Sequence, residues 1–424
     1  MLLLLKILFL IPFGSALAAA EPVIEARAEA ETEIDSYGQT ALEADSQLTL
    51  HEVIVHTFER EPGLLVVAAR RFEADALKKN SARLLSGAPV ISANHATDRL
   101  WTGDGYRQWD VQLGLPLWWP GQRKGRRQSA RAADSAARYA VRAHELEVAG
   151  WVRQAVTDLA VAHVRRELAE AEWRAEDELA TQIERAVALE ELARRELLLA
   201  RSASLDRRLI YLKALEESHH AEDRYFLLTG LSAWPMDWNE KPPDFDSLEN
   251  HPFLLLAGEE TARAQGELDR LKADQWGAPV LALGSQHERD VSGASFDGRI
   301  VAGLRIPLGR RRDAQAEVAG ARRAVAERRR DHQRLERNLR ERLTESEHRF
   351  ALSFERVSAA AEQAEMAAEY LRLTELGFGL GETDLGQLLR ARTRATAANQ
   401  THREALILRQ SCAGKMNQAL GVVP

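Results

Sequence analysis

The sequence is written twice. Gly87-Ala88-Pro89-Val90 returns as Gly277-Ala278-Pro279-Val280, and Pro62 with Leu64-Leu65-Val66-Val67-Ala68 returns as Pro252 with Leu254-Leu255-Leu256-Ala257. Leu115-Pro116-Leu117 returns as Ile306-Pro307-Leu308, and Leu228-Thr229-Gly230 as Ala419-Leu420-Gly421, so the offset stays at 190 to 191 residues. A solenoid repeats every 20–50 residues. This period is far longer and describes two copies of one module in equivalent places of a single architecture.

Each copy reads as a short helix, a longer helix, two strands and a very long helical stretch folded on itself. Residues 48–240 form the first copy, with strands about 88–99 and 107–118 and long helices about 121–230. Residues 241–424 form the second, with strands about 278–290 and 296–308 and long helices about 310–421. Thr49 with Glu52 three residues on reads as a capping box, and Pro62 opens the next helix. The clearest strands alternate strictly. Trp109, Val111, Leu113, Leu115 and Leu117 oppose Asp110, Gln112, Gly114 and Pro116; Phe296, Ile300, Ala302, Leu304, Ile306 and Leu308 oppose Asp297, Arg299, Val301, Gly303, Arg305 and Pro307. That is a period of two.

The long stretches are rich in Ala, Arg, Glu and Leu and nearly free of Gly and Pro, which favours helix throughout. An unbroken helix of ~80 residues would exceed 100 Å, so a turn is expected in each. The sequence places the first at Ser202-Ala203-Ser204 and the second at the glycine cluster Gly377, Gly379, Gly381 and Gly386, with Thr383 and Asp384 as caps.

Residues 1–20 read as a signal peptide: Lys6, an apolar run through Phe13, then Ala16-Leu17-Ala18 or Ala18-Ala19-Ala20 for cleavage. No Cys follows it, which argues against a lipid-modified N-terminus. Residues 21–47 are acidic and read as a flexible leader. The formal charge of −7 argues against nucleic-acid binding. The single Cys412 excludes an intrachain disulfide and a Cys-based metal site. No later apolar run is long enough for a membrane-spanning helix.

A strand of ~10 residues with one apolar face matches a tilted crossing of an outer membrane. Four strands cannot close a barrel, and an open sheet edge is not tolerated in lipid. Two chains would give eight strands and a filled bore; three would give twelve and room for water. Trp118 and Trp119, beside Pro120 at the strand end, suit the aromatic belt of a membrane interface.

With these features the chain resembles the TolC-like outer-membrane efflux family. The resemblance rests on the tandem repeat, on Leu48-Thr49-Leu50-His51-Glu52 followed by Pro62, and on Leu113-Gly114-Leu115-Pro116-Leu117 running into Gly121-Gln122-Arg123. It extends to Gly381-Glu382-Thr383-Asp384-Leu385-Gly386-Gln387-Leu388-Leu389-Arg390-Ala391, and covers about 47–421. It implies a mainly α fold with a membrane β-barrel contribution: a duplicated helix–β-hairpin–long helical hairpin, in a homotrimer whose 12-stranded barrel stands on a long α-helical barrel. It further implies outer-membrane lipid as surroundings, a periplasmic adaptor (membrane fusion) protein and an inner-membrane pump of resistance-nodulation-division or ABC type as partners. The chain would be a passive conduit.

One departure stands out. Where the family often places acidic residues constricting the periplasmic mouth, alignment on Gly381 and Ala391 puts Gln387 and Arg390. With Asp384 beside them, and Asp206, Arg207 and Arg208 taken as the corresponding tip of the first copy, the expected mouth is basic and either anion-tolerant or differently gated, unless these residues face solvent or adaptor and set no selectivity.

No enzyme chemistry is expected. Glu216-x-x-His219 and Glu217-x-x-His220 have the spacing of carboxylate-bridged metal sites but lack the matching motif such sites need on a facing helix. Phosphate-loop and nucleophile-elbow motifs are absent, and no cofactor is expected. The rival reading is a periplasmic coiled-coil scaffold or adaptor without a pore, its hairpins packed internally.

Overall fold

The computed structural model describes residues 42–101, 103–243, 247–309 and 313–424. Residues 1–20, read as a signal peptide, and the leader up to residue 41 lie outside them.

The chain opens with β1 (Glu43–Asp45), α1 (Leu50–Arg60) and α2 (Gly63–Ala82), then β2 (Val90–Thr97) and β3 (Arg107–Pro116). Two long helices follow, α3 (Gln122–Ala188) and α4 (Arg194–Thr229). β4 (Ala233–Pro235) closes the first copy, and the second comprises α5 (Pro252–Asp274), β5 (Val280–Arg289), β6 (Asp297–Arg305), α6 (Ala314–Gly379) and α7 (Leu385–Leu420). Thr49 caps α1, its side chain accepting from the Glu52 amide while Glu52 accepts from the Thr49 amide. At 1.5 Å per residue, the 67 residues of α3 span about 100 Å.

Two expectations need correction. β1 lies within the stretch read as a flexible leader; it pairs in parallel with β4, Glu43 opposite Ala233. Three residues without apolar periodicity carry no local strand signal, so only the partner strand reveals them. The short opening helix also has no counterpart in the second copy among the described residues; 190 positions on, β4 answers β1, and the described residues among 240–250, which would answer α1, are irregular.

The long helices form one layer. Near the sheet its order is α2–α3–α5–α6, and at the far end α4–α3–α7–α6. Apart from Ala314 and Leu343, the buried residues of α6 step by seven: Val318, Val325, then Leu339, Ser346, Ser353, Ala360, Ala367 and Thr374. A strict seven-residue repeat keeps one seam against a neighbour only if the helices supercoil left-handedly. Small residues set the spacing. A Cβ on Gly125 would lie 2.6 Å from the Arg270 backbone nitrogen, so α3 and α5 touch backbone to backbone there.

An extra layer covers one face of the middle. Leu50, Val53 and Ile54 of α1 bury themselves against Val148, Val152 and Val156 of α3, with Tyr225 and Trp238. Each such side chain contributes roughly 1.5–3 kcal/mol. Arg153 closes this region, donating to Glu240 through Nε at 2.7 Å and Nη2 at 2.6 Å, to Gln418 at 2.5 Å and to the Val422 carbonyl at 3.0 Å. One guanidinium thereby ties both copies to the C-terminal segment.

Candidate functional site

Both ends of the helical layer bear on function. At one end β2, β3, β5 and β6 form a single antiparallel sheet in that order, the hairpin of one copy hydrogen-bonded to that of the other. The register sorts side chains by chemistry. Val111 lies opposite Ala93 and Ser285, Leu113 opposite Ile91 and Leu283, and Leu115 opposite Leu281, which is opposite Leu304. One residue along, Asp110 lies opposite Asn94 and Gln286, and Gln286 opposite Arg299. One face is therefore apolar and the other polar. The apolar face is bare, with Ile91 74% and Ile300 90% exposed. Strands β2 and β6 have no outer neighbour among the described residues. No described helix is long and apolar enough to cross a membrane.

Trp118 and Trp119 sit half-buried where β3 gives way to α3. The Trp118 indole donates to the Arg83 carbonyl at 3.1 Å, and the Arg126 guanidinium lies 5.0 Å from its ring centre.

At the opposite end each long hairpin reverses. The turns are residues 189–193 and 380–384, offset by 191, and their backbones match bond for bond. Leu189, Glu190 and Glu191 amides donate to the Arg185, Val187 and Ala186 carbonyls; Leu380, Gly381 and Glu382 donate to Leu376, Phe378 and Gly377. Glu190 and Gly381 both take a left-handed conformation, at φ 63° and 76°.

The first turn is therefore not at Ser202-Ala203-Ser204, which lies inside α4. Serine tolerates a helix, and Ser204 uses its smallness there: it is buried and donates to Asp177 at 2.9 Å. Asp206, Arg207 and Arg208 consequently stand ~20 Å from the turn, since Asp206 follows the cap Ala193 by 13 residues. The repeat offset held the missing signal, because Gly381 carried back by 191 lands on Glu190. Asp384, Gln387 and Arg390 do sit at the second turn. Asp384 caps α7 by accepting from the Gln387 amide at 2.7 Å, and Gln387 and Arg390 are exposed. The tip thus mixes Glu190, Glu191, Glu196 and Glu382 with Arg194, Arg195 and Arg390, which corrects the expectation of a basic end.

Arg207 instead belongs to an ionic cluster that pattern reading missed. It lies 3.1 Å from Glu172 of α3 and hydrogen-bonds Thr393 of α7. One helical turn on, Arg392 of α7 reaches Glu176 at 3.9 Å, Glu375 of α6 at 3.1 Å and the Ala175 carbonyl at 3.2 Å. The cluster joins the two hairpins. Burial pushes the Glu172 and Glu176 carboxyls above the ordinary carboxylate value, with Arg207 and Arg392 opposing that shift. Asp206 is exposed, and the Arg208 guanidinium lies over the Trp173 ring at 5.5 Å, that ring stacking on Tyr211. The Glu216/His219 and Glu217/His220 pairs come into no metal-holding group among the described residues.

No protein-family model matches the sequence, and no curated protein matches it. Solved structures do. The transmembrane channel CusC superposes with a TM-score of 0.72 at 17% identity, over 91% of this chain and 94% of CusC. The Campylobacter jejuni CmeC outer membrane channel gives 0.69 at 17%, over 88% and 85%. The outer membrane protein VceC from Vibrio cholerae gives 0.70 at 13%, over 88% and 96%. The fold is that of the TolC-like outer membrane channels.

Proposed function

We propose that this protein is the outer-membrane channel component of a tripartite efflux or secretion system, a passive conduit from periplasm to exterior that works as a homotrimer. The observation that carries the reading is the four-stranded sheet, apolar on one face, polar on the other and open at both edges. In lipid both edges require partners, and β6 of one copy against β2 of the next satisfies them without any other protein. Three copies then enclose a twelve-stranded, water-wide bore lined by the polar face. Trp118 and Trp119 mark the periplasmic interface of that barrel.

The helices support the same ring. Leu198, Leu205, Leu209 and Leu212 form an exposed stripe along α4, and Met366, Tyr370, Leu373 and Leu380 another along α6 and its cap. The two stripes lie on opposite flanks of the layer, where copies in a ring meet. Around three copies, turns 189–193 and 380–384 surround the periplasmic mouth. That end also faces the periplasmic adaptor and, through it, an inner-membrane pump of resistance-nodulation-division or ABC type. No residue of this reading performs catalysis.

Extraction of outer membranes tests it. The expected product is a trimer in detergent that runs as a monomer only after boiling and that conducts ions in a planar bilayer. A monomer in the soluble periplasmic fraction would overturn the reading in favour of a scaffold. Arg390→Asp tests the mouth: channel selectivity shifts toward cations if Arg390 lines it, and unchanged selectivity removes Arg390 from the lining.

A further inference from the structure

Cations gather where the sheet gives way to the helices. The first three turns of α3 carry Arg123, Lys124, Arg127 and Arg131. Elsewhere in the chain arginines commonly meet carboxylates, as in Arg138–Asp134, Arg165–Glu404 and Arg263–Glu73. These four cations form no ion pair among the described residues. Together they line one open groove of about 680 Å³ between α3 and α5. Its single acid, Glu259, has Arg138 as its electrostatic partner.

The groove's face and depth follow from the helix. Buried Gln122, Ser129, Ala136 and Ala143 show α3 stepping by seven, so residues whole heptads apart share a face. Lys124, Arg131 and Arg138 precede Val152 by 28, 21 and 14 residues, and Val152 is covered by α1. The cations therefore share the face that carries α1 and the β1–β4 pair. In a ring with an open bore that added layer must lie outside, and so must the groove. At 1.5 Å per residue Arg127 lies ~8 Å and Arg131 ~14 Å below the start of α3. A headgroup layer is ~5–7 Å thick on each side, and long basic side chains reach back toward it.

We propose that this groove binds the anionic phospholipid headgroups of the periplasmic leaflet, the guanidinium forks of Arg123, Arg127 and Arg131 grasping phosphodiester oxygens and Lys124 adding a point charge. The inference rests on the channel reading, because only an inserted barrel places the groove at the headgroups. Its consequence is a fixed depth and tilt of the trimer in the membrane.

Purified full-length protein in nanodiscs of equal parts phosphatidylethanolamine and phosphatidylglycerol provides the test, with retained lipid counted by native mass spectrometry. Phosphatidylglycerol is expected to be retained over phosphatidylethanolamine by roughly 5-fold or more, each basic side chain near an anionic surface supplying about that factor. The variant Arg123→Gln, Lys124→Gln, Arg127→Gln and Arg131→Gln loses the preference, whereas Arg142→Gln, deeper along α3 and outside the groove, keeps it. Should the fourfold variant fail to assemble, Arg127→Gln alone is expected to lower the preference about 5-fold. Equal retention of both lipids by the wild type, an unchanged preference in the groove variants, or competition by inorganic phosphate overturns the proposal. A chain that never inserts overturns the channel reading and this proposal together; an inserted trimer without lipid preference overturns this proposal alone.

Discussion

The turns at 189–193 and 380–384 have one backbone and two chemistries. In the second, glycine occupies the left-handed position and Asp384 caps the returning helix. In the first, Glu190 occupies that position at φ 63° and the cap is Ala193, without a side-chain hydrogen bond. A side chain in the left-handed region costs about 1–2 kcal/mol, and a missing cap about 1 kcal/mol more. The first turn nonetheless forms. Packing holds it: Leu179, Ala180, Ile183 and Ala200 of the first hairpin bury themselves against Leu385 and Leu388 of the second. The locally well-written turn thus supports the badly written one, and the Glu176–Arg392 pair and the Arg207–Thr393 hydrogen bond join the same two hairpins.

That dependence can be broken at its strongest point first. Arg392→Ala leaves Glu176, 4% exposed at its side chain, without its ion-pair partner and is expected to cost about 3 kcal/mol at neutral pH. Arg207→Ala costs less, since the Glu172 side chain is the more exposed of the two, at 10%. Thermal unfolding of the two variants checks the order. Next, Gly381→Ala costs about 1–2 kcal/mol, whereas Glu190→Gly gains about 1 kcal/mol. Amide hydrogen exchange should accelerate at the second turn in the former and slow at the first in the latter. Capping gives a smaller contrast: Asp384→Ala loses about 1 kcal/mol and Ala193→Asp gains up to that amount, again read by exchange at each turn.

The smallest effect is one of pH. The folded-state values of Glu172 and Glu176 lie above those of the unfolded chain, so their ionised forms destabilise the junction. Their contribution therefore improves as pH falls from neutral through the raised values, and levels off below the ordinary value of 4.5. Glu172→Gln with Glu176→Gln should flatten this part of the profile. A stability profile of unchanged shape would show that these two carboxyls do not control it.

The copies were readable wherever local chemistry repeats. Alternation through Trp109 to Leu117 marks β3, and Thr49 with Glu52 marks the start of α1. The second turn was readable because glycines and Asp384 announce it. The first was not, because Leu189-Glu190-Glu191-Leu192-Ala193 contains no residue that prefers to end a helix. Ser202-Ala203-Ser204 reads as a turn for the converse reason, its Ser204 serving close packing of α4 on α3. Arg207 was visible as a charge but not as a partner of Glu172, 35 positions earlier on another helix.

The sequence by itself determined the duplication, the alternating strands and the long amphipathic helices, since each is a periodicity that neighbouring residues impose on one another. Only the tertiary structure decided where the first hairpin turns, that residues 43–45 become a strand beside 233–235, and which charges meet at the junction of the hairpins. Those outcomes depend on energies between segments distant in the chain, and here they are large enough to override what the local residues prefer.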